Sequence, residues 1–409
     1  MRVSLNKSEL ISGGSIQITG SKSESNRLLI LQALYPKLEI KNLSNSDDTA
    51  VMVKALSSEE SLIDIHHAGT AMRFLTAYFA TQKGREVILT GSDRMKERPI
   101  AILVQTLQKI GAEIEYLDEN GFPPLKITGK TITDDKVEIK ANISSQYITA
   151  LLLIAPKLKH GLCLNLTGEL TSRPYVNMTL DLLKSIGVDC NHDHNHIHVR
   201  PMPELNQKIQ LTVESDWSSA SYYFSMVALS AIGKKVRLRS YKTNSLQGDS
   251  ILPELYQPLG VETRFEQDEL ILTKISEPKE NSIEVDMRSC PDLAQTLAVS
   301  CLGLGIGCNL TGLHTLKIKE TDRLVALKNE MEKCGATVNI TNASLHLPSG
   351  AKLIADAVIS TYNDHRMAMA FAPLALKTSI AIEEADVVSK SYPGFWSDLK
   401  ALGFHLKSA

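Results

Sequence analysis

The sequence predicts an α/β protein of two domains, each assembled from copies of one supersecondary unit. Three observations carry this expectation: the length of the chain, a recurring glycine at helix ends, and a second, interleaved series of helix starts. At 409 residues with 43% hydrophobic content, the chain can bury two substantial cores.

The glycine series comes first. LQKIGAEIEY, LKSIGVDC, YQPLGVET, MEKCGATVNI and LKALGFHL place Gly111, Gly187, Gly260, Gly335 and Gly403 at spacings of 76, 73, 75 and 68. Glycine just past a helix suits the left-handed position there, and the alternating residues that follow suit a strand. The second series starts helices at GTAMRFLTAYFA from 69, SSQYITALLLIAP from 144, DWSSASYYFSMVAL from 216, PDLAQTLAVSCL from 291 and NDHRMAMAFAPLAL from 363, with spacings of 75, 72, 75 and 72. Each runs into an apolar strand and a polar loop, as in VILTGSDRMKERP and LNLTGELTSRP. One unit therefore reads helix, strand, loop, helix, strand, hairpin return.

The opening segment, SKSESNRLLILQAL then LEIKNLSNSDD then TAVMVKALSS, is a sixth copy that starts only 47 residues before the next. About 25 residues are missing relative to the other spacings, and the strand pair after its second helix is the expected loss. Six units divide into three and three, giving domains of 20–213 and of 1–19 with 214–409, the boundary falling near Leu211 to Asp216. Residues 1 to 19 read as an N-terminal strand able to join either half.

Composition narrows the function. With 44 basic and 46 acidic residues the net charge is −2, which excludes nucleic-acid or membrane binding through bulk charge. MRVSLNKSEL has no apolar signal core and no run approaches the roughly 18 apolar residues of a spanning helix, so a cytoplasmic protein is expected. The six cysteines form no CxxC pair or zinc spacing and read as packed thiols. In NHDHNHIHVR, His192, His194, His196 and His198 would share one face of a strand. No second ligand cluster accompanies them, so the stretch reads as an exposed hairpin edge and no metal is expected.

GSKSESNR, residues 20–27, places two cations at the start of a helix, where the dipole is already positive. The simple reading is a solvated first turn capped by Ser21 or Ser23. Equivalent helix starts and loops, however, also collect Asp47, Asp48, Arg73, Arg94, Lys96, Asp364 and His365, and a surface designed for solubility would spread such charges over outer helix faces. Several helix N-termini, each favouring an anion by about 0.3–1 kcal/mol, make a pocket for a multiply anionic ligand, which forked arginines would grip bidentately. Glu320 in KETDR and Asp292 after Pro291 each have two readings. They are dipole-stabilised acids, Glu320 paired i,i+3 with Arg323, or they are acid–base groups beside bound anions.

With GSKSESNR, AGTAMR, RMKERP, SSQYITALL, SRPY, PDLAQTLA, KETDR, NDHRMAMA and SKSYPGF in order along essentially the whole chain, the sequence resembles the 5-enolpyruvylshikimate-3-phosphate synthase family. The resemblance implies a two-domain inverse α/β barrel of six βαβαββ-type units, three per domain, with the active site in the cleft between domains and hinges near Gly20 and Val213. It implies transfer of the enolpyruvyl group of phosphoenolpyruvate to the 5-hydroxyl of shikimate 3-phosphate, with no metal or organic cofactor. Lys22, Gly69, Arg98, Gln146, Arg323, Arg366 and Lys390 match positions around phosphoenolpyruvate. Lys22, Ser23, Arg27, Ser144, Ser145, Gln146, Ser172, Tyr175, Asp292 and Lys319 match positions around shikimate 3-phosphate. Glu320 is the expected proton carrier to C3, Asp292 orients or deprotonates the hydroxyl, and Lys22 assists proton transfer. These two small molecules are the expected partners of a monomer.

His66, His67, Phe74 and Thr315 depart from the usual pattern of that family. One rival is transfer to UDP-N-acetylglucosamine, whose enzymes carry a reactive cysteine in the loop occupied here by GSDRMKERP. Another is a silent anion-binding relative, which would have no evident use for Asp292 and Glu320.

Overall fold

The computed structural model describes residues 1–142, 144–168, 170 and 172–408. Glu169 and Thr171, part of the loop LNLTGELTSRP, lie outside the described residues. The chain forms two compact units, Gly20–Val213 and Met1–Thr19 with Glu214–Ala409.

In the first unit, helices α1 (Lys22–Leu34), α2 (Asp47–Ser57), α3 (Gly69–Ala80), α4 (Asp93–Lys96), α5 (Ala101–Lys109), α6 (Ser145–Ile154) and α7 (Arg173–Ser185) follow the sequence pattern. α1, α3 and α6 pack on one another and are buried on nearly every side, Leu28, Ile30, Met72, Leu75, Ile148 and Leu151 being fully enclosed. A helix apolar all round belongs at a centre, and here the sheets lie outside. One sheet orders Leu62–Asp64, Glu86–Thr90, Leu125–Thr128 and Glu113–Tyr116; a second orders Lys136–Lys140, Leu162–Thr167, His196–Val199 and Cys190–Asp193. The shortened copy has only Leu38–Lys41 paired in parallel with Ile209–Thr212, so the missing residues are indeed its outer strand pair.

In the second unit, α8 (Trp217–Leu229), α9 (Leu252–Tyr256), α10 (Ala294–Leu304), α11 (Arg323–Lys333), α12 (His365–Phe371) and α13 (Phe395–Ala401) repeat the scheme, with α8, α10 and α12 packed together inside. Its sheets order Gly14–Ile16, Lys235–Arg239, Glu269–Lys274, Val261–Glu266; then Ser282–Asp286, Gly307–Thr311, Leu345–Leu347, Asn339–Ile340; then Ala357–Ile359, Ile380–Ile382, Val3–Leu5, Leu406–Ser408. In every four-stranded sheet the first two strands run parallel and the next two steps are antiparallel. This is the inverse α/β barrel built from βαβαββ units.

Two expectations are corrected. Residues 1–19 hold two strands, Val3–Leu5 and Gly14–Ile16, which complete different sheets of the second unit. The first takes the place of a strand that would follow the C-terminus, and the second starts the copy whose helix is α8. The histidines do not share one strand face either: the chain reverses at His194, whose φ is +49°, and antiparallel pairing sets His192 with the buried Ile197, while His196 and His198 pair with Asp193 and Asn191. Residues opposite one another in such a pair share a face, so His192 lies on the inner side. The exposed hairpin itself is present. The five helix-terminal glycines all take positive φ, between 83° at Gly260 and 104° at Gly111, as their position requires.

Candidate active site

In the unit 20–213, helix starts bring the anion-binding candidates together. Ser21 caps α1, its Oγ accepting the Glu24 N–H at 3.5 Å, which leaves Lys22 at the first helical position to reach Asp48 at the head of α2, 3.2 Å away. Ser144 caps α6 by accepting the Gln146 N–H at 3.3 Å, with Ser145 buried behind it. The Gln146 side chain then donates to Thr70 Oγ1 in the first turn of α3, also at 3.3 Å, so the starts of α3 and α6 adjoin. α3 has no side-chain cap and no acid in its first turn. Arg98 lies over it instead, close enough that a Cβ on Gly69 would stand 2.5 Å from Nη1. The Arg98 Nε is buried with no hydrogen-bond partner.

Arg27 is directed inward. It donates through Nε to Thr179 Oγ1 at 2.9 Å, through Nη1 to the Ser23 carbonyl at 2.6 Å, and through Nη2 to the Tyr175 carbonyl at 3.2 Å and Thr149 Oγ1 at 3.5 Å. Its guanidinium carbon lies 5.6 Å from the Phe74 ring centre and 5.8 Å from that of Tyr175. Phe74, one of the departures from the family pattern, thus supplies an aromatic face to this cation. Burial pulls the Arg27 pKa down to about 10, against the opposing influence of Tyr175 and Glu24. Ser172, just before α7, holds a left-handed conformation with φ of +53°. Of the other departures, His67 Nδ1 shares a 2.9 Å hydrogen bond with Ser92 Oγ, and Thr315 Oγ1 is buried without a partner.

In the second unit the charges interlock. Asp292, in the 3₁₀ turn before α10, receives Arg323 Nη1 at 2.9 Å and Lys319 Nζ at 3.3 Å on one oxygen and Arg366 Nη2 at 3.2 Å on the other. Arg323, the first residue of α11 and 1% exposed, also donates through Nη2 to Glu320 at 2.8 Å and through Nε to Asp364 at 2.6 Å. Asp364 in turn caps α12 at the Arg366 N–H, 2.9 Å. Lys390 donates to the Asn363 carbonyl at 2.6 Å. Burial opposes the charge on Asp292, yet Arg366, Lys319 and Arg323 outweigh it and hold the carboxyl well below the usual range. Burial likewise opposes the charge on Arg323, and Asp364, Glu320 and Asp292 raise it above an ordinary guanidinium.

The structure brings Asp292, Lys319, Glu320, Arg323 and Arg366 into one network, with Lys390 tied to the loop that carries Asp364. Lys22, Gly69, Arg98, Ser144, Ser145, Gln146 and Ser172 lie at or beside helix starts of their own unit, whereas Ser23, Arg27 and Tyr175 meet through the Arg27 guanidinium. Sequence reasoning missed Asp249 and Ser218. The Ser218 hydroxyl accepts from Arg366 Nη2 at 3.3 Å and donates to Asp249, whose buried Oδ1 has no partner. Asp249 in QGDS carried no sequence signal beyond its place in a polar loop equivalent to KETDR.

Fixed cations beside fixed carboxylates, most of them at or near helix starts, can hold anionic oxygens and move protons at the same place. The fold defines the class: a two-domain inverse α/β barrel. An EPSP synthase structure from Acinetobacter baumannii superposes with a TM-score of 0.79 at 20% identity, covering 100% of both chains. That of the enolpyruvyl transferase NikO from Streptomyces tendae does so at 0.76 and 14% identity, covering 99% of this chain and 98% of that one. The sequence then specifies the family. Residues 56–399 match the family described as EPSP synthase (3-phosphoshikimate 1-carboxyvinyltransferase). A 3-phosphoshikimate 1-carboxyvinyltransferase from Bacteroides fragilis is 48% identical over 398 residues, 96% of each chain. One from Haemophilus influenzae is 35% identical over 422 aligned positions, covering 95% of this chain and 96% of that one. The chain belongs to the EPSP synthase family. Among the described residues, no helix is long and apolar enough to cross a membrane.

Proposed function

We propose that this protein transfers the enolpyruvyl group of phosphoenolpyruvate to the 5-hydroxyl of shikimate 3-phosphate and releases phosphate, acting in the cytoplasm as a monomer. The observation that carries the reading is Arg323, a buried guanidinium forked across Asp292, Glu320 and Asp364, which stand just ahead of α10, α11 and α12 or in the turn leading into them. A protein that only bound anions would gain from the cations and lose from the three carboxylates.

In this reading Arg98 and Arg323 take the carboxylate of phosphoenolpyruvate, Lys22 and Lys390 its phosphate, and Gly69, Gln146 and Arg366 complete its surroundings. Ser144, Ser145, Gln146, Ser172 and Tyr175 cradle the phosphate of the acceptor, and Ser23, Arg27, Asp292 and Lys319 serve its carboxylate and hydroxyls. The hydroxyl oxygen attacks C2 of phosphoenolpyruvate and its proton passes, with Lys22 assisting, to the phosphate that will leave, while C3 takes a proton from Glu320; Glu320 then takes a proton back from C3 as the protonated phosphate departs, and the double bond is restored. Asp292, held ionised by its three cations, is a weak base and a strong hydrogen-bond acceptor, which suits orienting the hydroxyl more than taking its proton. Holding two substrates in register and stabilising the charge that shifts to phosphate lower the barrier together.

The test mixes the protein with both substrates and follows phosphate release and the enolpyruvyl ether by mass spectrometry. Release with shikimate 3-phosphate is expected; release only with UDP-N-acetylglucosamine, or none with either acceptor, overturns the reading. Glu320→Gln keeps a hydrogen-bond acceptor for Arg323 and is expected to retain shikimate 3-phosphate binding while kcat falls about 10²–10⁴-fold. Near-normal turnover removes Glu320 from the chemistry.

A further inference from the structure

Between the strand Ala357–Ile359 and α12 the chain passes through Tyr362 and Asn363, with φ of +53° and +55°. Left-handed backbone is unfavourable for a bulky residue, and two such residues in succession persist only where their surroundings hold them. The holder is Glu330, fully buried in α11, two turns beyond Arg323. Its Oε1 accepts the Tyr362 hydroxyl at 2.7 Å, and its Oε2 accepts the Ser360 N–H at 3.0 Å and the Lys333 ammonium at 2.7 Å. Thr361 and Ser360 hydroxyls add bonds to Glu384 at 3.1 Å and Glu383 at 3.2 Å.

The next residues carry the consequence. The Asn363 carbonyl accepts Lys390, and the Asp364 carboxylate accepts Arg323 and sets the first turn of α12, from which Arg366 projects. One helix, α11, therefore supplies both Arg323 and the anchor that fixes the partners of Lys390 and Arg323 and the helix start that carries Arg366. We infer that Glu330 and Tyr362 are positioning residues: their hydrogen bond holds a strained bend that aligns the three cations which grip phosphoenolpyruvate. This rests on the functional reading above.

The experiment compares Tyr362→Phe, Tyr362→Gly and Tyr362→Ala by steady-state kinetics in phosphoenolpyruvate, with thermal unfolding recorded for each. Tyr362→Phe keeps the ring and loses the anchor, so KM for phosphoenolpyruvate is expected to rise about 10-fold while kcat stays within about 3-fold. Glycine takes positive φ freely, so Tyr362→Gly is expected to retain a higher kcat/KM than Tyr362→Ala although it removes more of the side chain. A purely structural role for the ring predicts the opposite: Phe equal to wild type, and Gly no better than Ala. That result overturns the inference. Absence of turnover by the wild-type chain would overturn the functional reading instead, and the order among variants would then be read from inorganic phosphate binding by calorimetry, where equal affinities sink the positioning role.

Discussion

Arg27 and Arg323 are both buried guanidiniums, 3% and 1% exposed, yet their surroundings are opposite. Arg323 is forked across three carboxylates, whereas Arg27 donates to hydroxyls and carbonyls and rests between two aromatic rings. The first is held more firmly protonated than usual, and burial draws the second down to about 10. A cation paired with carboxylates is partly neutralised and orients those acids beside any ligand it also holds. One solvated by neutral oxygens keeps its field, and an anionic ligand completes its surroundings. On the proposed function a division between the units follows: the second holds acids for proton transfer beside cations that also take an anion, and the first presents charge for anion capture alone.

The comparison breaks most visibly on stability. Arg323→Met removes the shared partner of three carboxylates; Asp292 keeps Lys319 and Arg366, but Asp364 is fully buried, and breaking a buried ion pair costs about 3–5 kcal/mol. Denaturant melts of the purified variant should show a loss of that size; a loss under about 1 kcal/mol would mean that the network is solvated and holds no such buried pair. Arg27→Met strands hydroxyls and carbonyls and removes a favourable charge near Glu24, but Thr149 and Thr179 still share their 3.3 Å hydrogen bond, so a smaller cost of about 1–2 kcal/mol is expected. Its larger effect falls on the ligand, with the dissociation constant for shikimate 3-phosphate rising about 10-fold or more in calorimetry. If Arg27→Met destabilises as strongly as Arg323→Met and leaves affinity unchanged, the division of labour is wrong.

The frame was legible in the sequence where the physics is local. Helix-end glycines recur because each needs positive φ, and inner helices recur because each must be apolar on all sides, so the unit and its loss of one strand pair could be counted from residue spacing alone. The candidate residues were legible because cations at helix starts contradict the dipole. Partnerships across the chain were not. Nothing in VSL or GSI says that these strands complete different sheets, because pairing between residues some hundreds apart leaves no local pattern. The histidine stretch misled because its alternation continues through the two-residue reversal at His194 and Asn195. Asp249, Ser218, Glu330 and Tyr362 acquire meaning only from the side chains they meet. Arg27 was legible as a cation near a ligand, but its inward fork was not.

The same contrast separates a buried and a half-buried carboxylate of the second unit, Asp249 and Asp292, and here the expected effect is smallest. Asp292 is surrounded by three cations and its pKa is held low, whereas Asp249 is pushed up to about 6, chiefly by burial, with Asp292 and Asp216 reinforcing it and Arg366 and Ser218 opposing it. In the unfolded chain Asp249 titrates near the usual 3.8, so between that value and about 6 the folded protein binds more protons than the unfolded one. Its contribution to stability is therefore fully present below about pH 4 and is lost as pH rises through about 6, opposite in sign to that of Asp292. Asp249→Asn cannot ionise and should flatten the fall of stability across this window, by a few kcal/mol at most, in denaturant melts taken between about pH 4 and 7. Arg366 reaches Asp249 through the Ser218 hydroxyl, so any limb near pH 6 in KM for phosphoenolpyruvate should vanish in the same variant. Stability curves that run parallel for wild type and Asp249→Asn would show that this carboxyl titrates normally in the folded chain. The two acids would then differ in hydrogen-bond partners without differing in proton affinity.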